Sequence, residues 1–171
     1  MKKEATGRKK FFLRNFIFGT EDSLVSTVGL LSGIAVAGTP RKDILIAGVV
    51  LIFVEAISMG AGSFLSERSS EAYTKTKKSN IIYFTKGGII MFFSYFIAGF
   101  IPLAPYILTE VKSAFFLSIG FSMLGLFLLG FINSKIFKVR TLRPAIEMLT
   151  IGSFAILIGV LAGKLIEKIL N

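Results

Sequence analysis

Apolar blocks long enough to cross a bilayer run through this chain, separated by short charged stretches. Residues 24–40 carry no charge, and the block extends back through residues 15–23. Residues 44–66 carry only Glu55, residues 87–109 and 113–134 carry none, and residues 145–163 carry only Glu147. A hydrocarbon core of about 30 Å takes roughly 20 apolar residues of helix. The pattern therefore predicts an all-α, polytopic membrane protein with five transmembrane helices, over residues 16–38, 44–66, 83–105, 113–134 and 145–166. These form one domain over residues 15–171, preceded by a basic cytoplasmic tail over residues 1–14 that is expected to be mobile.

Breakers place the connections. Gly38-Thr39-Pro40 ends the first helix, and Asp43 is the expected N-cap of the second. So short a link makes the first two helices an antiparallel hairpin. The second helix is expected to continue through Glu67, Arg68 and Glu71 to about Tyr73, with a polar linker over residues 74–80. Pro102 and Pro105 should close the third span around an external turn. A basic loop over residues 135–143 leads to Pro144 in the first turn of the fifth helix. Gly29 with Gly33, and Gly159 with Gly163, are small pairs at four-residue spacing, the pattern of close helix packing. With no Trp, the interfacial aromatic belt falls to Tyr73, Tyr83, Tyr106 and phenylalanines.

Charge adds orientation. The chain has a formal net charge of +10 and is 53% hydrophobic, with a mean hydropathy of +0.75. Of its 20 Lys and Arg residues, the groups before the first span, between the second and third, and between the fourth and fifth all fall on one side. These are Lys2, Lys3, Arg8, Lys9, Lys10 and Arg14, then Arg68, Lys75, Lys77, Lys78 and Lys86, then Lys135, Lys138, Arg140 and Arg143. Only Arg41, Lys42, Lys112, Lys164 and Lys168 fall on the other. Basic loops stay in the cytoplasm, so the N-terminus is expected inside and the C-terminus outside. The basic charge is thus explained by topology, and no nucleic-acid partner is implied. Glu21 and Asp22 interrupt the place where the apolar core of a cleaved signal peptide would begin. The short length, with no targeting segment, points to a prokaryotic plasma membrane. With no Cys and no His, thiolate sites, iron–sulfur clusters and imidazole chemistry are excluded. No nucleophile constellation suggests an enzyme, and no resident cofactor is expected.

Glu55 is the residue that most needs an explanation. An ionisable group at membrane depth is costly and marks a pathway by default; the plain alternative is a protonated carboxyl bonded to a neighbouring hydroxyl. Met59 follows at i+4 on the same helical face, so an oxygen and a thioether sulfur point the same way. Taken alone, Met59 would be read as apolar packing. Asp22, near the cytoplasmic start of the first span, should lie at about the depth of Met59, with Glu55 about 6 Å deeper. An N-cap or interfacial acid is the alternative for Asp22. Glu147 is either an interfacial acid or a partner in the pathway. Glu67 and Glu71 share one face, either solvated or an acidic funnel for cations. The segment from Glu55 to Gly60 resembles that from Glu147 to Gly152, an echo too short to establish a repeat. Oxygen with thioether donors suits iron(II) and manganese(II) better than magnesium or calcium.

Three segments resemble signatures of the vacuolar iron transporter family: residues 18–33 (FGTEDSLVSTVGLLSG), residues 57–66 (ISMGAGSFLS) and residues 142–152 (LRPAIEMLTIG). The resemblance spans about residues 15–165, in order. It implies a homodimeric five-helix transporter that moves iron(II), and in some members manganese(II), out of the cytoplasm in exchange for protons. Asp22 and Met59 match the family's pathway aspartate and methionine. Three departures stand out. The family's second-helix glutamate lies two turns before the methionine, where this chain has Leu51, and Glu55 is one turn before. An acid often found ahead of the aspartate is Asn15. The acidic cytoplasmic domain between the second and third helices is absent, as in plant nodulin-like relatives, which makes this a short form.

The expected function is therefore a proton-coupled exporter of divalent transition metal, with Asp22, Glu55 and Met59 on the route, in a lipid bilayer and as a homodimer. An organic-cation exporter using Glu55 as counter-charge and a non-transporting membrane scaffold are the rivals. Proteoliposome uptake separates the three.

Overall fold

Five helices follow one another with short connections in the computed structural model, which describes residues 2–73, 81–136 and 142–170, the side chains of residues 2–6, 8 and 170 excepted. They are α1 (Lys2–Val36), α2 (Arg41–Tyr73), α3 (Ile81–Leu108), α4 (Val111–Ile136) and α5 (Arg143–Leu170). The linker expected over residues 74–80 and residues 137–141 of the basic loop lie outside the described residues.

The α1–α2 hairpin is built by its breakers. Gly38 takes φ +75°, the left-handed conformation that ends many helices. Its N–H donates to the Ala35 carbonyl and that of Thr39 to the Ile34 carbonyl, at 3.2 and 3.3 Å. The Pro40 carbonyl then accepts from Asp43 and Ile44 at 3.0 and 3.1 Å. The second helix thus starts at Arg41, earlier than an Asp43 N-cap would allow. Asp43 instead sits inside the first turn, where its charge complements the helix dipole.

Two other expectations are corrected. The first helix does not begin near residue 16: α1 is continuous from Lys2, through the segment expected as a tail, to Val36. Phe11 and Phe12 hold this extension against the start of α3, with ring centroids 4.6 and 5.2 Å from that of Tyr83. Pro102 and Pro105 do not end the third helix, which runs on to Leu108. Pro102, Leu103, Pro105 and Tyr106 are all buried, so packing holds the helical path that proline weakens. The Ser118 hydroxyl adds a 2.7 Å bond to the Pro102 carbonyl, and Arg41 donates to the carbonyls of Tyr106 (2.7 Å) and Ile107 at the end of α3. Tyr106 is accordingly part of the core with Leu31, Ile44 and Leu103, not of an aromatic belt.

Neighbours in sequence are antiparallel: Arg14 pairs with Glu67, Leu31 packs on Gly48, and Ser118 reaches back to Pro102. α1 packs against all four other helices. That position explains its composition. By length and apolarity α2 to α5 each qualify to cross a membrane, while α1 does not reach the same apolarity. It carries Glu21, Asp22, Ser23, Ser26, Thr27 and Ser32, of which Ser23, Thr27 and Ser32 are buried. A helix surrounded by helices can keep hydroxyls that lipid would exclude. The molecule is an integral membrane protein whose most polar span is its innermost one.

The two small-residue pairs pack on each other. A Cβ on Gly159 would strike the Gly29 carbonyl, and one on Gly163 the Gly33 carbonyl. α1 and α5 therefore touch backbone to backbone, running parallel. Gly163→Leu should lower the thermal stability of the detergent-purified protein by about 1–3 kcal/mol through overpacking. Gly120→Ala, at a position with open space, should leave it unchanged or higher; a melting curve for each variant checks this.

Candidate functional site

The register of α1 against α2 decides which acids meet. The pairing of Arg14 with Glu67, Asn15 with Ser63 and Leu31 with Gly48 places Asp22 across from residues 56–59 of α2. It therefore lies between the levels of Glu55 and Met59. Asp22 and Glu55 are close enough to act on each other electrostatically, and both act on the hydroxyl of Tyr95. All three belong to different helices, α1, α2 and α3. The carboxylates are half-buried, while Tyr95 is fully enclosed.

Tyr95 was not among the residues singled out from sequence. Its hydroxyl shares a 2.7 Å hydrogen bond with that of Ser26, and its carbonyl accepts from the Ser23 hydroxyl at 2.6 Å. The Thr27 hydroxyl lies beside the same phenol without closing a well-formed bond. A signal was present in the sequence: Tyr95 stands mid-way along an uncharged block, far from either interface, where a phenol needs a buried partner.

Met59 faces a cavity of about 580 Å³ between α1, α2 and α3, shared with Asn15, Ser63, Glu67 and Met91. Asn15 is almost wholly buried. It donates to the Phe11 carbonyl at 3.0 Å and accepts from the Ser63 hydroxyl at 2.6 Å. Glu67 bonds Arg14 at the rim, so its charge is countered there. Met91 is a second thioether on this cavity that the sequence reading passed over. Its sulfur packs where a Cβ on Gly19 would come within 3.1 Å.

The secondary acids stand apart from one another in role. Glu147 is exposed and bonded to Arg143 Nε at 2.8 Å, one turn away on its own helix. The echo between the two six-residue segments thus ends in different surroundings, since Glu55 acts on Asp22 of another helix. Glu71 is half-buried near the end of α2 and has interactions of its own. Among the described residues no three acidic side chains gather in a group that could hold a metal ion. The arrangement offers two carboxylates with a phenol and hydroxyls, and a thioether-bearing cavity alongside.

Against known proteins, the profile of the VIT family matches residues 13–82 and 78–164. The chain belongs to the VIT family. The two matched pieces overlap at residues 78–82, around the start of α3. A vacuolar iron transporter from Plasmodium berghei (strain Anka) is 23% identical over 227 residues, covering 92% of this chain and 83% of its own length. Vacuolar iron transporter homolog 4 of Arabidopsis thaliana is 25% identical over 158 residues, covering 86% and 80%. Vacuolar iron transporter 1 of Oryza sativa subsp. japonica is 21% identical over 203 residues, covering 84% and 81%. The Plasmodium alignment needs 227 positions to cover most of a 171-residue chain, so that relative carries extra residues within the aligned region. Among VIT-family proteins, then, this one presents the membrane bundle with a short α2–α3 connection.

The two polar contacts at the cavity rim should differ in worth. Asn15→Leu leaves the Ser63 hydroxyl without its partner and should cost about 1–3 kcal/mol. Arg14→Ala removes an ion pair whose Arg side chain is 68% exposed and should cost less than about 1 kcal/mol. Thermal unfolding in one detergent ranks the two; equal losses would contradict this account.

Proposed function

We propose that this VIT-family protein exports divalent transition metal, iron(II) or manganese(II), from the cytoplasm by proton antiport. The observation that carries the reading is that Asp22 of α1 and Glu55 of α2, both half-buried on facing turns, act on each other electrostatically. Two carboxylates in a low-dielectric setting repel each other, and a dication or a proton relieves the repulsion. Exchange of one for the other at a single site is the simplest coupling such a pair allows. Met59, one turn from Glu55, supplies a soft donor that favours iron(II) and manganese(II) over magnesium and calcium. Relatives named vacuolar iron transporters, aligned over most of their length, support the same class. A scaffold would need no acid pair there. An organic-cation carrier would make no use of Met59.

The rest follows from charge and packing. Basic loops orient the N-terminus inward and the C-terminus outward, so Glu67 and Glu71 lie toward the cytoplasm. We place the protein in a prokaryotic plasma membrane. The homodimer implied by the family has a suitable face in the open α1–α5 groove, about 920 Å³, walled by Gly29, Gly33, Gly159 and Gly163.

Reconstituted with a pH dye inside, the protein should take up iron(II) or manganese(II) with proton counterflow. Asp22→Asn or Glu55→Gln should each lower that flux by about tenfold or more, equivalent to about 1.4 kcal/mol. Undiminished flux in both variants would sink the mechanism. Met59→Leu should reduce iron(II) flux more than manganese(II) flux, since thioether donors favour the softer ion. The chain has no native cysteine, so Ile158→Cys in the groove gives a clean probe. It should cross-link two chains in membranes; a monomer band alone would refute the dimer on this face.

A further inference from the structure

Asp22 is bracketed by two hydroxyl residues that make hydrogen bonds to the same partner. Ser23 follows it directly, and Ser26 lies at i+4 on its own face of the helix. The Ser23 hydroxyl donates to the Tyr95 carbonyl at 2.6 Å, and the Ser26 hydroxyl shares a 2.7 Å bond with the Tyr95 hydroxyl. One residue of α3 thus grips one turn of α1 at two points, through its backbone and through the tip of its side chain. The grip cannot slide. Tyr95 is fully buried, and so is Ser23. Gly19 one turn earlier fits against Met91 and Ser94. Gly99 one turn later leaves room for Ile52 of α2 and for the Ser23 hydroxyl. A helix rotated about its axis would break both bonds and drive side chains into these glycine contacts.

Rotation is the motion that matters for Asp22. A turn of α1 by one residue position swings a side chain through about 100°, enough to carry Asp22 away from Glu55. We propose that Tyr95 is a positioning residue of the acid pair: by holding Ser23 and Ser26 together it fixes the azimuth of α1 at which Asp22 faces Glu55. The inference rests on the metal-site reading of that pair, and adds to it a third helix and a stated task. The Tyr95 phenol is also an aromatic group on which both acids act, so it is placed to report on an ion bound between them.

The chain has no Trp and four Tyr, which makes terbium(III), an oxygen-seeking ion excited through nearby tyrosine, a selective probe of the full-length protein in detergent. Terbium emission should saturate and be displaced by manganese(II). Tyr95→Phe should remove most of the emission, while Tyr106→Phe should keep it. Displacement of terbium from Ser26→Ala should need roughly three- to tenfold more manganese(II) than from the native protein, the scale of one lost hydrogen bond. For Tyr95→Phe, which is dark, affinity is read from the manganese(II)-induced rise in melting temperature, and should fall by the same factor. Ser26→Ala combined with Tyr95→Phe should be no weaker than Tyr95→Phe alone, since both remove one bond. A merely structural tyrosine would lower the melting temperature without manganese(II) and leave the affinity unmoved. If Tyr95→Phe and Ser26→Ala bind manganese(II) like the native protein while Asp22→Asn does not, the positioning role is overturned and the metal site stands. If Asp22→Asn also binds unchanged, the metal reading of the pair falls, and the positioning role with it.

Discussion

A helix that carries Glu21, Asp22 and a series of serines and threonines is a poor neighbour for lipid, and the bundle is arranged around that fact. α1 packs against each of the other four helices. On the α3 side it is seated by Gly19 and by the bonds of Ser23 and Ser26 to Tyr95. On the α5 side Gly29 and Gly33 meet Gly159 and Gly163 backbone to backbone. These contacts take the place of hydrophobic attraction, which is nearly absent between helices already in an apolar medium. α2 to α5 can then present apolar faces outward, with residues such as Phe93, Ile97, Phe116 and Phe154 exposed.

The same burial creates the site. Asp22 on the central helix is half-buried, and the water it has lost makes a countering group or an ion worth more to it. Glu55 reaches it from α2, but as a second negative charge. Two like charges that act on each other are relieved by a cation or a proton, and the proposed function rests on that relief. A transporter needs this kind of relief to be strong enough to recruit an ion and local enough to release it once a proton arrives.

Much of this was legible from the chain. The five helices and the Gly38–Pro40 break are local patterns, and the structure contains each of them, with α1 less apolar than the other four. What failed were inferences that used local rules where packing decides. Pro102 and Pro105 read as an ending, yet their buried surroundings keep the helix going to Leu108. Basic residues 2–14 read as a tail, yet Phe11 and Phe12 fasten that segment to Tyr83. Tyr95 was illegible for a different reason. Its importance lies in bonds to residues about 70 positions away, and no periodicity within α3 marks them. The partnership of the two glycine pairs is likewise a tertiary fact, since each motif alone states only that some backbone comes close.

The departures from the family pattern form one electrostatic design. At the cytoplasmic rim Glu67 is bonded to Arg14, and its charge is largely spent. One step inward, Asn15 is a neutral amide held by the Phe11 carbonyl and the Ser63 hydroxyl. It needs no counter-ion and attracts none strongly. Leu51 stands where the usual second-helix acid would be, and the carboxylate appears instead at Glu55, across from Asp22. Moving the acid by one turn keeps it on nearly the same face of α2. It also leaves Glu55 within one turn of the level of Asp22. Asp22 and Glu55, which act on each other across α1 and α2, are the two acids on which the proposed function draws.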